Sequence, residues 1–279
     1  EEPLRFRYGF IGSSDNHQAR PGTGYKENLR KLNTESRVDM ESETGRNFMN
    51  PRLSDPKLPL AQKLDLGPGS ELGCYGVQCS KLTLPVQSER ASSFLYTGGL
   101  VAAHVASRNR EEIWGALSSR EVYATSGERI LLWFDLVNHP DGSTVPMGTE
   151  TEMSSSPKFQ VKALGAQKQL PGCSPIDKNN LSSKVLERLC RGECFNPSDE
   201  RKNISRIEVI RIRPQVYEGE PINALIEDPW RIFECEPSQE GCQVEFIDEQ
   251  FEGSSREIVY YVRAVQEPTE AINASGLDC

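Results

Sequence analysis

The sequence predicts a mixed fold, an α/β portion first and then an antiparallel all-β region of sandwich-like arrangement. Three observations predict it. An alternating apolar stretch near the start ends in a polar turn, and residues 97–137 read as strand, helix and strand. The second half is a run of short strands parted by Pro, Gly and Asn turns, with almost no helical period. At 279 residues the chain has room for one large domain or two medium ones.

"RFRYGFIG", residues 5–12, sets Phe6, Tyr8 and Phe10 against Arg5, Arg7 and Gly9, which reads as a strand. Ile11 adds an expectation of burial on both faces near its end. A polar, glycine-punctuated turn follows from Ser13. Residues 32–93 are polar, with scattered Pro, Gly and Ser and no sustained period, and are expected to form an insertion that lids a site. Leu100 to Val105 reads as a short strand. Asn109 is a good helix N-cap with Glu112 as its capping-box partner, and Ile113, Trp114 and Leu117 make a short amphipathic helix with Trp114 in the core. "REVYATSGERILLWFDL" resumes extended structure around a turn at Ser126-Gly127. "KFQVKAL" alternates Phe159, Val161 and Ala163 with Lys158, Gln160 and Lys162. "RIEVIRIR", "CQVEF" and "EIVYYVRAV" are further strands, with Trp230 packed in the sandwich. "SSKVLERLCRGEC" is the one helical turn expected among them. The expected division is residues 1–31 with 94–127 as the α/β part, 32–93 as insertion or lid, and 128–279 as the β-rich domain.

The formal net charge of −9 argues against nucleic-acid and anionic-membrane partners, since no basic tract offsets it. No apolar run approaches the roughly 18–20 residues of a membrane span. The first residues show neither an initiator Met nor a signal-peptide pattern, so the chain is expected to be a piece of something longer.

Eight cysteines fall largely in close pairs: Cys74 with Cys79, Cys190 with Cys194, and Cys235 with Cys242, leaving Cys173 and Cys279 over. Disulfides and zinc are the competing readings. Zinc sites favour two similar C-x2-4-C pairs, whereas the gaps here are four, three and six residues and His is scarce. Disulfides within the local pairs are therefore expected, and with them an oxidising compartment, periplasm or cell exterior.

Only three histidines occur, and His17 stands two positions after Asp15 in "GSSDNH". Residues two apart on a strand share a face, and a carboxylate beside an imidazole suits a divalent metal. Such an ion turns bound water into a nucleophile near neutral pH. The competing reading is a turn in which Asp15 caps backbone N–H groups and His17 is solvated. Arg20, Tyr25 and Lys26 lie close by in sequence as substrate contacts, Arg offering a bidentate fork for phosphate and Lys a point charge. The competing reading, that Arg20 and Lys26 are solvated charges on a loop, is slightly favoured. Thr125 and Arg129 flank the "TSGER" turn and are further candidates. Gly22-Thr23-Gly24 lacks P-loop spacing. His104 reads as a satisfied core residue and His139 as a turn residue.

"GSSDNH" resembles the last metal-binding motif of the polymerase-and-histidinol-phosphatase (PHP) superfamily. "FIGSSDNHQARPGTGYKE", "REEIWGALSSREVYATSGERILLWFDL" and "VRAVQEPTEAINASGLDC" together resemble the DUF3604 family of bacterial PHP-related proteins. The likeness covers most of the chain apart from residues 32–93. It implies the last elements of a distorted, TIM-like α/β barrel, formed by residues 1–31 and 94–127 and followed by the β-sandwich. It also implies a cluster of divalent metal ions (Mn, Zn or Fe) with Asp15 and His17 as ligands. The implied activity is hydrolysis, most often of a small-molecule phosphoester. The superfamily's opening His-x-His motif and middle ligands have no match here. The metal would be incompletely ligated by this chain, whose partner would be the missing N-terminal part of its own barrel, and the isolated chain is expected to be inactive. Hydrolysis of a carboxyl ester, amide or carbamate by the same metal centre stays open. So does a non-catalytic, exported β-sandwich that binds a partner.

Overall fold

The structure, a computed structural model, describes residues 7–13, 99–190, 194–251 and 256–268. In chain order the elements are β1 (Leu100–Ala103), α1 (Arg110–Ser119), β2 (Val122–Thr125), β3 (Leu131–Leu136), β4 (Val145–Pro146), β5 (Lys158–Leu164), β6 (Gln167–Gln169), α2 (Pro175–Asn180) and α3 (Ser183–Cys190). They continue with β7 (Pro197–Arg201), β8 (Ile204–Ile212), β9 (Ile226–Glu234), β10 (Cys242–Ile247) and β11 (Val259–Gln266). Among the described residues every strand pair is antiparallel. No parallel ladder of an α/β barrel is present among them.

Two sheets form the bulk of the structure, one ordered β10-β5-β3-β4 and the other β11-β8-β9. They share one apolar core. Leu132, Leu136, Phe159, Val161, Ala163 and Phe246 come from the first sheet, and Ile204, Ile207 and Val209 from the second. This is the sandwich the alternation predicts: Phe159, Val161 and Ala163 are buried, while Lys158, Gln160 and Lys162 are not. Aromatic rings fill its centre, with Phe159 5.2 Å from Phe246 and 4.6 Å from Tyr260 between centroids. Trp230 packs there as expected, 6.0 Å from Phe246.

The β1–β2 ribbon joins the same core through Tyr123, with Ala102 packed against it. The N-cap of α1 forms as the sequence requires: the Asn109 side chain accepts from the Glu112 N–H at 2.8 Å. Trp114 departs from expectation, being 70% exposed, and Ala116 is the residue α1 buries. Ile113 and Leu117 flank Ala116 and are partly covered, at 42% and 40% exposed, so Trp114 is the bulky residue of the helix that points outward.

The strand expected over residues 5–12 is not assigned at the described residues 7–13, and Tyr8 and Ile11 are exposed rather than buried. Close backbone contact explains it. A Cβ on Gly12 would lie 2.8 Å from the Leu100 carbonyl oxygen and 3.0 Å from that of Thr125. The segment therefore presents its glycines to the ribbon, with Tyr8 and Ile11 exposed and the Phe10 ring 5.4 Å from that of Tyr261. Arg7 anchors it through ion pairs with Glu150 and Glu257, and Glu150 also pairs with Arg120.

Among the described residues two disulfides close the β-rich part. Cys235–Cys242 is the expected local pair, and it ties the end of β9 in one sheet to the start of β10 in the other. The expected Cys190–Cys194 bond is not the one formed, since Cys194 bonds Cys173 instead. The β6–β7 ribbon sets this partnership. Its hydrogen bonding continues outward through Leu170 N–H to the Asn196 carbonyl (2.7 Å) and Cys194 N–H to the Gly172 carbonyl (3.2 Å). That brings the Cys173 and Cys194 Cα atoms to 4.6 Å, within bonding reach. Two short helices, α2 and α3, fill the enclosed loop where one helical turn is expected. Residues 32–93, with Cys74 and Cys79, lie outside the described residues.

Candidate functional site

The described N-terminal segment ends at Ser13, two positions before Asp15 in the sequence. Ser13, Gly99, Leu100 and Thr125 meet there: a Cβ on Gly99 would lie 2.6 Å from the Ser13 carbonyl oxygen, and Leu100 pairs with Thr125 across the ribbon. Of the expected site residues, the structure brings Thr125 to this place. Its hydroxyl accepts from the Gly127 N–H at 3.4 Å, which fixes the turn after β2. Asp15, His17, Arg20, Tyr25 and Lys26 lie outside the described residues. Arg129 is engaged elsewhere. Its guanidinium lies 3.7 Å over the Phe195 ring, and burial lowers its pKa.

Neither histidine of the described residues stands ready as a ligand. His104 follows β1 and lies half-buried between the Tyr123 and Trp133 rings. Its Nε2 is 2.9 Å from the Leu132 carbonyl oxygen, which only accepts, so Nε2 carries the proton in that bond. His139 sits in the expected turn, its ring nitrogens 2.6 Å from Asp141 and 2.8 Å from Thr151. Asp141 is held below the usual carboxylate range by hydrogen bonds from Ser143 and His139. Among the described residues no group of three or more His, Cys, Asp or Glu side chains is arranged to hold a metal ion. An open groove beside α1 carries His104, Glu111, Glu112 and Glu121 on its walls.

Among the described residues a buried charged cluster joins the two sheets, one the sequence reading does not anticipate. Arg211, 1% exposed, donates from Nη1 to both oxygens of Asp248, each at 2.9 Å, and Asp248 is wholly buried. It also binds Glu227 through two bonds, Nε to Oε2 at 2.7 Å and Nη2 to Oε1 at 2.9 Å. Tyr260 donates its hydroxyl proton to Asp248 at 2.6 Å, and Trp230 stacks 4.2 Å from the guanidinium. Burial alone would raise the Asp248 pKa. Hydrogen bonds from Tyr260, Arg211 and the Gln250 N–H, with the Arg211 charge, outweigh it and hold the carboxylate ionised. Register builds the cluster, because Arg211 pairs with Glu227 on β9 and with Tyr260 on β11. Asp248 reaches in from the end of β10 in the facing sheet. The signal was there in "RIEVIRI". Period two places Arg211 on the same face as Ile207 and Val209, both core residues. Every polar atom named in this cluster has a partner, so it reads as a cross-sheet clasp.

The two disulfides found among the described residues suit an oxidising compartment, and no helix among those residues is long and apolar enough to cross a membrane. No curated protein and no solved structure matches the chain. One family, described as "Protein of unknown function (DUF3604)", matches residues 3–171, which take in the Asp15-x-His17 motif, the ribbon, α1 and the first strands of the sandwich. The match runs through residues 32–93 and stops short of the C-terminal stretch "VRAVQEPTEAINASGLDC". With more than half its length matched in this way, the chain belongs to the DUF3604 family.

Proposed function

We propose that this chain is the C-terminal part of a metal-dependent hydrolase of PHP type that acts on a small-molecule phosphoester in the periplasm or outside the cell. One observation carries the reading: Asp15-x-His17, inside the family-matched region, follows a segment seated against β1 and β2 beside Thr125. Carboxylate and imidazole are the right donors for Mn, Zn or Fe. When bound, such an ion supplies a water acidic enough to act as nucleophile near neutral pH. Asp15 and His17 would hold it, with Arg20 and Lys26, close by in the sequence, offering charge to a phosphate. Two donors do not complete a coordination shell, so the remaining ligands are expected from outside this chain.

Hydrolysis of p-nitrophenyl phosphate and p-nitrophenyl acetate by the full-length protein tests the reading. Turnover of the phosphate ester that disappears in Asp15→Asn and His17→Ala supports it. Turnover of the acetate alone moves the assignment to carboxyl-ester chemistry with the same donors. Equal turnover by wild type and both variants rejects the site.

A second reading, an exported β-sandwich that binds a partner without catalysis, draws on the disulfide-closed sandwich of the described residues. Absence of both metal and turnover from the full-length protein would favour it.

A further inference from the structure

His139 is held between a carboxylate and a hydroxyl. Its Nδ1 lies 2.6 Å from Asp141 Oδ1, and its Nε2 lies 2.8 Å from Thr151 Oγ1. Asp141 is ionised and only accepts, so in the neutral ring Nδ1 carries the proton and Nε2 keeps its lone pair. The Thr151 hydroxyl therefore donates to Nε2. Nucleophile, base and orienting carboxylate stand in hydrogen-bond order, the arrangement that activates a side-chain hydroxyl for acyl transfer.

Neither segment needs this contact to hold its shape. Backbone donors close the turn: Gly142 N–H to the His139 carbonyl at 2.9 Å, and Ser143 N–H to Asp141 Oδ1 at 2.7 Å. Asn138, just before His139, donates to the Ser156 carbonyl and accepts from the Lys158 N–H. The stretch that carries Thr151 is anchored on both sides. Met147 and Met153 pack against the core, and Arg120 binds both the Gly148 carbonyl and the Glu150 side chain. The fold thus sets the hydroxyl beside the base in advance. Thr151 is exposed and the His139 side chain is 20% exposed, so an ester in solution can reach both.

We propose that Thr151, His139 and Asp141 form a second reactive site, at which Thr151 takes the acyl group of a carboxyl ester. Thr151 Oγ1 bonds to the ester carbonyl carbon as its proton passes to His139 Nε2. The bond from that carbon to the alcohol oxygen breaks, and Nε2 gives the proton to the departing oxygen. The products are an acyl-threonine and a free alcohol. Water, passing a proton to the same Nε2, then attacks the acyl carbon; the acid leaves and the proton returns to Thr151 Oγ1. Asp141 is a positioning residue that fixes the tautomer of the ring. The step uses no metal ion, so the proposal stands apart from the hydrolase reading.

Acetylation by p-nitrophenyl acetate, run on the full-length protein in EDTA and read by peptide mapping, tests it. Thr149, exposed two residues earlier, is the internal reference. Thr151 is expected to be acetylated about a hundredfold faster than Thr149, the low end of what a general base contributes. Equal rates overturn the proposal. So does acetylation seen only without EDTA, which would belong to a metal centre. His139→Ala should lose the advantage of Thr151 and regain part of it with added imidazole; no loss, or a loss that imidazole leaves in place, overturns it. Nitrogen NMR of the neutral His139 ring should find the proton on Nδ1, and Asp141→Asn should shift it toward Nε2; a proton on Nε2 in the wild type overturns the assignment. The two readings fail separately. Acetylated Thr151 in a protein without metal keeps this site and removes the hydrolase. Bound metal with an unreactive Thr151 does the reverse.

Discussion

Replacing Asp248 by Ala should be among the most damaging single changes in the sandwich. The substitution removes both Arg211 Nη1 bonds and the acceptor of the Tyr260 hydroxyl. Breaking a buried ion pair costs about 3–5 kcal/mol, because one charge is left uncompensated. Here Arg211 keeps Glu227 and Gln250, which moves that cost toward its lower end. The stranded Tyr260 hydroxyl adds about 1 kcal/mol. A total near ~4 kcal/mol is a large part of the ~5–15 kcal/mol that holds a domain together. With a urea slope of about 2 kcal/mol/M, the unfolding midpoint should fall by about 2 M at unchanged slope. Trp230, stacked on the guanidinium, reports the transition by fluorescence. Glu245→Ala is the control. It removes an exposed ion pair with Lys158, and no measurable change in midpoint is expected. A drop below about 0.5 M for Asp248→Ala would refute the clasp, since ~1 kcal/mol is within the reach of an exposed pair. Arg211→Met/Asp248→Leu should recover much of the loss, as apolar replacement of a whole buried pair often does.

Other expectations follow from the same contacts. The folded pKa of Asp248 lies below its unfolded value, so the stability it contributes is present above about pH 4 and is lost as pH falls through the folded pKa. The urea midpoint should therefore decline on acidification below about pH 4, and should decline less in Asp248→Asn. Peptide mapping without reduction should recover Cys173 linked to Cys194 and Cys235 linked to Cys242. By loop-closure entropy, loss of the longer-range bridge through Cys173→Ser should cost about 3 kcal/mol and loss of the shorter one through Cys235→Ser about 2 kcal/mol, read from denaturation midpoints. Asn109→Ala should cost about 1 kcal/mol by removing the cap of α1. Gly12→Ala should push residues 7–13 off the ribbon, which protease sensitivity near Ser13 would reveal while the sandwich still folds.

Local rules carried the β-rich half. "KFQVKAL" fixed its own buried face by alternation, and Asn109 announced the start of α1, because both depend on neighbours close in sequence. What failed depended on distant partners. Cys194 has Cys190 nearby in sequence, but the β6–β7 ribbon brings it Cys173. Phe6, Tyr8 and Phe10 alternate like a strand, yet Gly9 and Gly12 decide which side of the segment meets the ribbon. Trp114 reads as core by size, while the described fold buries Ala116 beside it. Arg211 sits at a core-facing position of β8, and nothing local indicates that Asp248 will arrive from the other sheet to neutralise it. The candidate site was legible as chemistry, a carboxylate and an imidazole two residues apart, and its approach was not, because Thr125 meets Gly12 only through tertiary packing.

Metal analysis of the full-length protein, purified without chelators, tests the central claim most directly. The account predicts more than one equivalent of Mn, Zn or Fe per chain, with metal lost in the Asp15→Asn/His17→Ala double variant while the sandwich stays folded. One equivalent or less in the wild type, or a metal content that the double variant leaves unchanged, would contradict it.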